Sequence, residues 1–117
     1  LVIELFATKD NPLFVAGETT PMPVTTELVA ILAKAAELVT NNVAIEGHVR
    51  AEPLVWRESQ VWDLSSGRAE QVRVMMEAQG LAPYRLARVV GHADRELVSN
   101  IPRDLRNNRI EIILLRD

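Results

Sequence analysis

Residues 65–80, SSGRAEQVRVMMEAQG, carry the clearest fold signal in the chain. Their apolar residues recur at intervals of three and four, which predicts one buried stripe along a helix. The stripe consists of Ala69, Val72, Met75 and Met76. Ser65 belongs to the residue types that cap helix starts, and Gly80 to those that end helices. We therefore predict a helix over residues 65–79.

The residues before this helix predict a strand, a helix and a second strand. Residues 1–6 alternate apolar residues with Glu4, and residues 43–49 (VAIEGHV) are β-branched and alternating, so both predict strands. Residues 8–23 contain many Pro, Gly, Asn and Asp residues and predict a loop, with room for a short strand at 13–15.

Residues 24–39 predict the first helix, with Thr25 or Thr26 as its cap and Glu27 in its first turn. Its predicted buried stripe consists of Val24, Leu28, Ile31, Leu32, Ala35, Leu38 and Val39.

The remaining residues complete an alternating order of elements. Residues 86–90 and 109–115 predict strands, whereas residues 50–63 and 99–108 predict irregular or polar connections. The order β-α-β-α-β-β predicts an α/β (α+β) two-layer sandwich with both helices on one face of the sheet. Strands joined through one helix usually run parallel, and the last two lack a full helix between them. We therefore expect a mixed sheet.

Length and composition restrict the function classes. The 117 residues predict one domain, with residues 1–23 as a strand-and-loop lead-in. The formal charge of −3 argues against nucleic acid as a partner. The chain has no cysteine, which excludes disulfides, iron–sulfur clusters and thiol nucleophiles. The chain begins with Leu1 rather than Met, so we expect a trimmed fragment, and it has no apolar run long enough to span a membrane.

Catalytic motifs are absent from the sequence, so we expect no enzyme activity and no cofactor. His48 and His92 both follow a glycine near the end of a predicted strand. With Asp94 they could form a two-histidine, one-carboxylate metal site. The alternative, which we favour, is that each histidine only forms hydrogen bonds at its strand end, so no metal is predicted.

Two arginines occupy positions that need an explanation. With Ser65 as the cap, Arg68 would lie in the first turn of its helix, where the helix dipole disfavours a cation. Arg68 could there bind a carboxylate together with the free helix N–H groups, or it could form a structural ion pair. These alternatives are evenly balanced. Arg109 opens the last strand, either as a second polar contact or, slightly favoured, as an exposed edge charge.

Several pieces of the sequence together resemble the OmpA-like peptidoglycan-binding domain family. The pieces are IEGH at 45–48, LSSGRA at 64–69 with Val72, GL at 80–81, VGHAD at 90–94 and NNRIEI at 107–112. The corresponding family pattern runs G-H-T-D, then N-x-x-L-S-x-x-R-A, then a strand ending in glycine, then N-R-R-[IV]-E-I. Within that family the chain looks most like the periplasmic domains of MotB-type flagellar stator proteins, through WDLS at 62–65 and the segment 1–14.

This resemblance implies a non-catalytic module that anchors a MotB-like flagellar stator, or a related envelope protein, to peptidoglycan. It also implies a homodimer and a membrane partner subunit, reached through an N-terminal helix that this sequence does not include. The implied location is the periplasm, with a tether to the inner membrane.

The resemblance also implies a binding site. The family arginine that holds the diaminopimelate carboxylate of the stem peptide corresponds to Arg68. The predicted peptidoglycan-binding residues are Arg68, Leu64, Ser65, His48, Arg50, Asn108 and Arg109.

Three positions depart from the family pattern. Arg50 stands at the aspartate that binds the free amine, Val49 at the threonine and Val61 at the asparagine. Arg50 would repel the amine unless Glu52 or Asp94 takes the acidic role. The alternative function is therefore a degenerate OmpA-like domain that has lost peptidoglycan binding and serves dimerisation or protein–protein contact.

Overall fold

The computed structural model describes residues 1–50, 58–95 and 107–116, with the backbone alone for residues 58–60. Within these residues, four strands form one sheet in the order β1-β4-β2-β3. The strands are β1 (Val2–Phe6), β2 (Val43–His48), β3 (Leu86–Gly91) and β4 (Arg109–Leu114). The helices are α1 (Pro23–Ala36) and α2 (Glu58–Ala78), and a short 3₁₀ helix (Pro83–Arg85) precedes β3.

The sheet is mixed, as predicted. Strands β2 and β3 are parallel neighbours, whereas β4 lies between β1 and β2 and runs antiparallel to both. This arrangement confirms the predicted β-α-β-α-β-β order and the α+β class.

Both helices contribute to one core against the sheet. Ile45 of β2 and Ile112 of β4 are buried on the same face, because they are directly opposite each other on neighbouring strands. From α2, the core receives the predicted residues Ala69, Val72 and Met76, all buried, with Met75 partly buried. The stripe predicted for α2 is therefore confirmed.

The C-terminal end of α2 is a Schellman motif. Gly80 has a φ of +107° and donates its N–H to the carbonyl of Glu77. Leu81 donates its N–H to the carbonyl of Met76, and both side chains lie in the core. Only glycine adopts this backbone conformation readily, which confirms Gly80 as the stop.

The predicted start of α2 is wrong. The helix begins at Glu58 rather than at residue 65, so residues 58–63 are helical; residues 51–57 of the predicted irregular segment lie outside the described residues. Ser65 is an interior residue of the helix, whose hydroxyl donates to the Trp62 carbonyl at 3.0 Å. The added turns are stabilised by tertiary packing, because Val61 and Leu64 bury against Val49.

Helix α1 differs from its prediction at both ends. Met22 is the N-cap residue, and Pro23 occupies the first turn, where its missing N–H costs nothing. Neither predicted threonine caps the helix; the Thr25 hydroxyl instead donates to the carbonyl of Leu13 at 2.6 Å. The first turn contains no acidic residue, and the helix ends at Ala36 rather than at residue 39.

The predicted buried face of α1 is mostly wrong, although Leu32 of the predicted stripe is partly buried against the core. Its buried residues are Thr25, Val29, Ala33 and Ala36. Val29 is 0% exposed, whereas Ile31 of the predicted stripe is 63% exposed. Apolar residues lie on nearly every side of this helix, so their spacing does not choose a face, and the smaller residues face the core.

The segment between β1 and α1 contains a short hairpin over residues 13–22. Phe14 and Pro21 form an isolated antiparallel bridge, and the N–H of Val15 donates to Thr20. Leu13 and Phe14 are buried in the core. The short strand considered for residues 13–15 is therefore reduced to a single β-bridge at Phe14. None of the described helices is long and apolar enough to cross a membrane.

Candidate functional site

A cleft of about 440 Å³ lies at the junction of β2, β4, α2 and the 13–22 hairpin. Five of the seven predicted site residues line it: His48, Arg50, Arg68, Asn108 and Arg109. Leu64 and Ser65 are not among its lining residues. The hairpin supplies an apolar wall opposite the charged groups.

Strand register brings these distant residues together. His48 is the last residue of β2 and pairs with Arg109, the first residue of β4. The N–H of Arg50 donates to the Asn108 side-chain oxygen at 2.6 Å. The GH and NNR pieces of the sequence are thus fixed side by side at one end of the sheet.

Arg68 is held by the hairpin. Its Nε donates to the carbonyl of Glu18 at 3.0 Å and its Nη2 to that of Val15 at 3.4 Å. The guanidinium also lies 5.0 Å from the centre of the Phe14 ring, within cation–π range. The explanation of Arg68 through a helix N-terminus is wrong, because α2 begins ten residues earlier at Glu58. The arginine is instead oriented by tertiary contacts.

Arg109 is a buried charge rather than an exposed edge charge. It is 7% exposed, and its Nη2 lies 3.2 Å from Glu111 Oε1. Its Nε lies 3.9 Å from Glu4 Oε2. Buried guanidiniums are kept where they have acidic partners or a ligand, which explains the two glutamates behind the cleft.

Three guanidinium groups belong to the described lining of the cleft. Arg50, Arg68 and Arg109 line it, and its lining within the described residues includes no Asp or Glu. Guanidinium groups present paired N–H donors that match a carboxylate, and an apolar wall excludes water from such a contact. The cleft is therefore suited to a ligand that carries a carboxylate.

Ser65 and Leu64 hold α2 against the ends of β2 and β3. The Ser65 hydroxyl accepts a hydrogen bond from the N–H of Ala93 at 2.9 Å. Ala93 has a φ of +53°, and its carbonyl accepts from the N–H of Val49 at 2.8 Å. Leu64 packs against Val49 and Ala93 in a small apolar cluster. Their predicted part in ligand binding remains a prediction.

Two paired glycines allow this close contact. Gly47 of β2 and Gly91 of β3 are register partners beneath α2. A Cβ atom at Gly91 would lie 2.3 Å from the backbone nitrogen of Ser66, and one at Gly47 would lie 2.4 Å from the carbonyl oxygen of Ser65. Both distances are shorter than any real Cβ contact, so the glycines are required by the position of the helix.

Two of the three departures from the family pattern lie in one apolar cluster. Val49 and Val61 are both buried, in the same small cluster as Leu64 and Ala93. Apolar side chains thus replace two polar groups together, and each supplies packing for the other. Arg50, the third departure, is half-buried in the cleft.

The two histidine rings lie side by side, but the carboxylate beside them is that of Glu46 and not that of Asp94, which the sequence analysis considered. Their rings stack with centroids 4.8 Å apart and planes 13° apart. His92 Nε2 contacts Glu46 Oε1, and Arg88 Nη2 lies 3.1 Å from Glu46 Oε2. Asp94 is not in the group. The signal for Glu46 was present in the sequence, because Glu46 and His48 are two apart on one strand and share a face.

Burial sets the protonation of this group. Burial, followed by the charges of Arg109 and His92, lowers the pKa of His48 to about 4, so the ring is neutral near pH 7. Burial alone would raise the pKa of Glu46, but hydrogen bonds from Arg88 and His92 outweigh it and hold that pKa below its usual value. Burial raises the pKa of Glu111, although Arg109 opposes the shift.

Fold and cleft define the class of protein: a two-layer α+β domain with an arginine-lined cleft at one end of its sheet. The chain belongs to the OmpA family, whose model matches residues 13–111. It is 31% identical over 108 residues to LafU of Escherichia coli K12, which is named as a truncated flagellar export/assembly protein. That match covers 92% of this chain and 51% of the relative, so the chain spans about half the relative's length.

Solved structures share the fold. The periplasmic domain of Helicobacter pylori MotB aligns with a TM-score of 0.77 at 18% identity, over 95% of this chain and 73% of that one. The cell wall anchor of the type VI secretion system from Pseudomonas aeruginosa aligns with a TM-score of 0.78 at 24% identity. That alignment covers 99% of this chain and 81% of the anchor's chain.

Proposed function

We propose that this chain is a non-catalytic module that binds peptidoglycan through the arginine-lined cleft. The observation that carries the proposal is the cleft itself, with Arg50, Arg68 and Arg109 on its wall and no carboxylate in its described lining. The ligand group is a carboxylate of the stem peptide. Arg68 is its centre, because the hairpin carbonyls orient that guanidinium before any ligand arrives.

The relatives support a place at the cell wall. One solved neighbour is titled a periplasmic domain of MotB and another a cell wall anchor, while the sequence relative is named for flagellar assembly. We infer a periplasmic domain of a MotB-like stator or related envelope protein. The inner-membrane tether, the membrane partner subunit and the homodimer belong to this same proposal.

Arg50 changes the ligand preference. A guanidinium beside a free amine is unfavourable, whereas beside a second carboxylate it is favourable. The cleft of this chain therefore favours the acidic groups of a stem peptide over its amine. We expect Arg50→Asp to strengthen binding to sacculi whose stem peptides carry diaminopimelate, since it supplies a partner for the amine.

Co-sedimentation with isolated sacculi tests the proposal. The parent chain should pellet, and Arg68→Lys should pellet at least about tenfold less, because an ammonium cannot form the paired contact. Arg73→Lys is the matched control, since Arg73 lies on the same helix and pairs with Glu70 and Glu77 outside the cleft. A parent that stays in the supernatant, or an Arg68→Lys variant that pellets like the control, would contradict the proposal.

A role in protein–protein contact is the second candidate, and one observation favours it. Helix α1 exposes Leu28 and Ile31, and Leu38 and Val39 beyond its end are exposed as well. Analytical ultracentrifugation of the chain beside Ile31→Lys measures this. Self-association that the substitution abolishes, in a chain that does not pellet with sacculi, would favour this second candidate.

A further inference from the structure

The face of the sheet opposite the helices carries a row of charged and imidazole side chains. Glu46 and His48 point away from the core side of β2, because they alternate with Ile45. His92 follows β3, and its N–H donates to the carbonyl of Gly47 at 2.8 Å, which fixes its backbone beside β2. Parallel pairing therefore brings all three side chains to one point.

We propose that Glu46, His48 and His92 form a binding site for a transition-metal dication of the zinc type. Each side chain offers one ligand atom, and these atoms lie within 4.8 Å of one another. Tetrahedral zinc with nitrogen ligands at 2.0–2.1 Å needs ligand atoms about 3.3 Å apart. Binding would therefore require the three side chains to draw closer together on backbone positions that the sheet fixes.

His48 provides an independent indication of a missing ligand. Its side chain is 1% exposed, and neither ring nitrogen has a hydrogen bond among the described residues. Its Nε2 lies 2.7 Å from Glu111 Oε1 but outside hydrogen-bond alignment. Burying an imidazole that forms no hydrogen bond costs free energy, and coordination of a metal ion by one ring nitrogen would offset that cost.

The charge around the cluster suits a dication. Glu4, Glu111 and Glu46 are register partners across β1, β4 and β2. Two guanidiniums, of Arg88 and Arg109, pair with these three carboxylates. Among the described residues, the three carboxylates of this group outnumber its two guanidiniums. Two imidazoles with one carboxylate are ligands that zinc, nickel and copper prefer over calcium or magnesium.

Thermal unfolding with and without ZnCl₂ tests the site on the chain after dialysis against EDTA. Free zinc at a hundredfold excess over its Kd should raise the Tm by about 10 °C. His92→Gln should lower the zinc affinity at least about tenfold, with a correspondingly smaller rise in Tm. His92 is partly exposed, and glutamine keeps a donor for Glu46, so this variant is expected to fold.

Asp94→Asn is the matched control, because Asp94 lies two residues from His92 but outside the cluster. It should bind zinc like the parent. No rise in the parent's Tm, or equal rises in the parent and the His92→Gln variant, would overturn the proposal. Glu46→Gln is a second ligand variant, and Co²⁺ titration provides a second readout, since tetrahedral coordination gives strong visible absorption. A zinc site that survives both ligand variants would equally overturn it.

The metal proposal stands apart from the proposed wall binding. The two sites share His48, but zinc binding requires no group of the 13–22 hairpin and no wall fragment. If the chain fails to pellet with sacculi, the zinc proposal is unaffected. If the chain fails to bind zinc, the proposal of wall binding through the cleft is unaffected.

Discussion

The dipeptide Gly-His occurs at the ends of two adjacent strands, and its two halves lie in opposite environments. Gly47 and Gly91 face α2, where the helix leaves no space for a side chain. His48 and His92 face the other side, where charged groups surround them. The glycine side is close-packed and fixes the position of the helix. The polar groups on the histidine side are less completely hydrogen-bonded, since His48 has two buried nitrogens without a hydrogen bond in the described residues.

The largest effect is expected on the glycine side. Gly91→Ala places a methyl group 2.3 Å from the Ser66 nitrogen and 2.5 Å from the Ser65 hydroxyl, so α2 must move away from the sheet. We expect a loss of more than about 3 kcal/mol in the free energy of unfolding, measured by urea denaturation.

Gly67→Ala is the control for that experiment. Its new methyl group would meet only the side chain of Thr19, which is exposed and can rotate, and alanine favours the helix. We expect a change within about 1 kcal/mol. Equal losses for both variants would show that the contact at Gly91 is not specifically tight.

The two helices show how far sequence periodicity reaches. On α2 most apolar residues of the predicted segment lie on one side, so their spacing identified Ala69, Val72 and Met76 correctly. On α1 apolar residues surround the helix, and the core instead takes Val29 and the small Ala33. Small residues at the contact between α1 and α2 decide the face, and hydrophobicity alone does not record that geometry.

The candidate site likewise has parts that the sequence could predict and parts that it could not. The resemblance assigned His48, Asn108 and Arg109 to one site, but the strand order and register that bring the GH and NNR pieces together were not predicted. The partners of Arg68 could not be predicted either, since they are backbone carbonyls of the hairpin, whose conformation depends on long-range contacts. Glu46 could have been found, because its position two residues before His48 puts both on one face of β2.

The next effect concerns the histidine side and depends on pH. The pKa of His48 is about 4 in the folded chain, below the 6.5 of a free histidine. The unfolded chain therefore binds a proton in this window and the folded chain does not. The contribution of His48 to the free energy of unfolding is therefore fully present above pH 6.5. It declines as the pH falls toward 4, by up to about 3 kcal/mol.

Comparison with His48→Gln separates this contribution from the others. Glu46, with its lowered pKa, also loses stability in acid, whereas Glu111, with its raised pKa, shifts stability in the opposite direction. Both glutamates remain in the variant. Urea denaturation from pH 7 to pH 4 should give a flatter dependence for His48→Gln than for the parent. Parallel curves would mean that His48 does not titrate as described.

The smallest effect returns to the glycine side, at Ser65. Its hydroxyl is the acceptor for the N–H of Ala93, whose left-handed conformation holds the chain end of β3 against Val49. Ser65→Ala leaves that buried N–H without its acceptor, and we expect a loss of about 2 kcal/mol in the free energy of unfolding. Ser66→Ala, on the exposed neighbouring position, should change it by less than about 0.5 kcal/mol.

Ser65 also separates a structural role from the predicted ligand-binding one. If the role of the hydroxyl is to accept the hydrogen bond from Ala93 at the strand ends, Ser65→Ala lowers the free energy of unfolding. Sacculus binding by the folded fraction then stays unchanged. If it contacts the wall ligand, pelleting falls and the melt is unaffected. The hydroxyl already donates to Trp62 and accepts from Ala93, so a ligand would have to displace one of these bonds. That competition favours the structural outcome for Ser65.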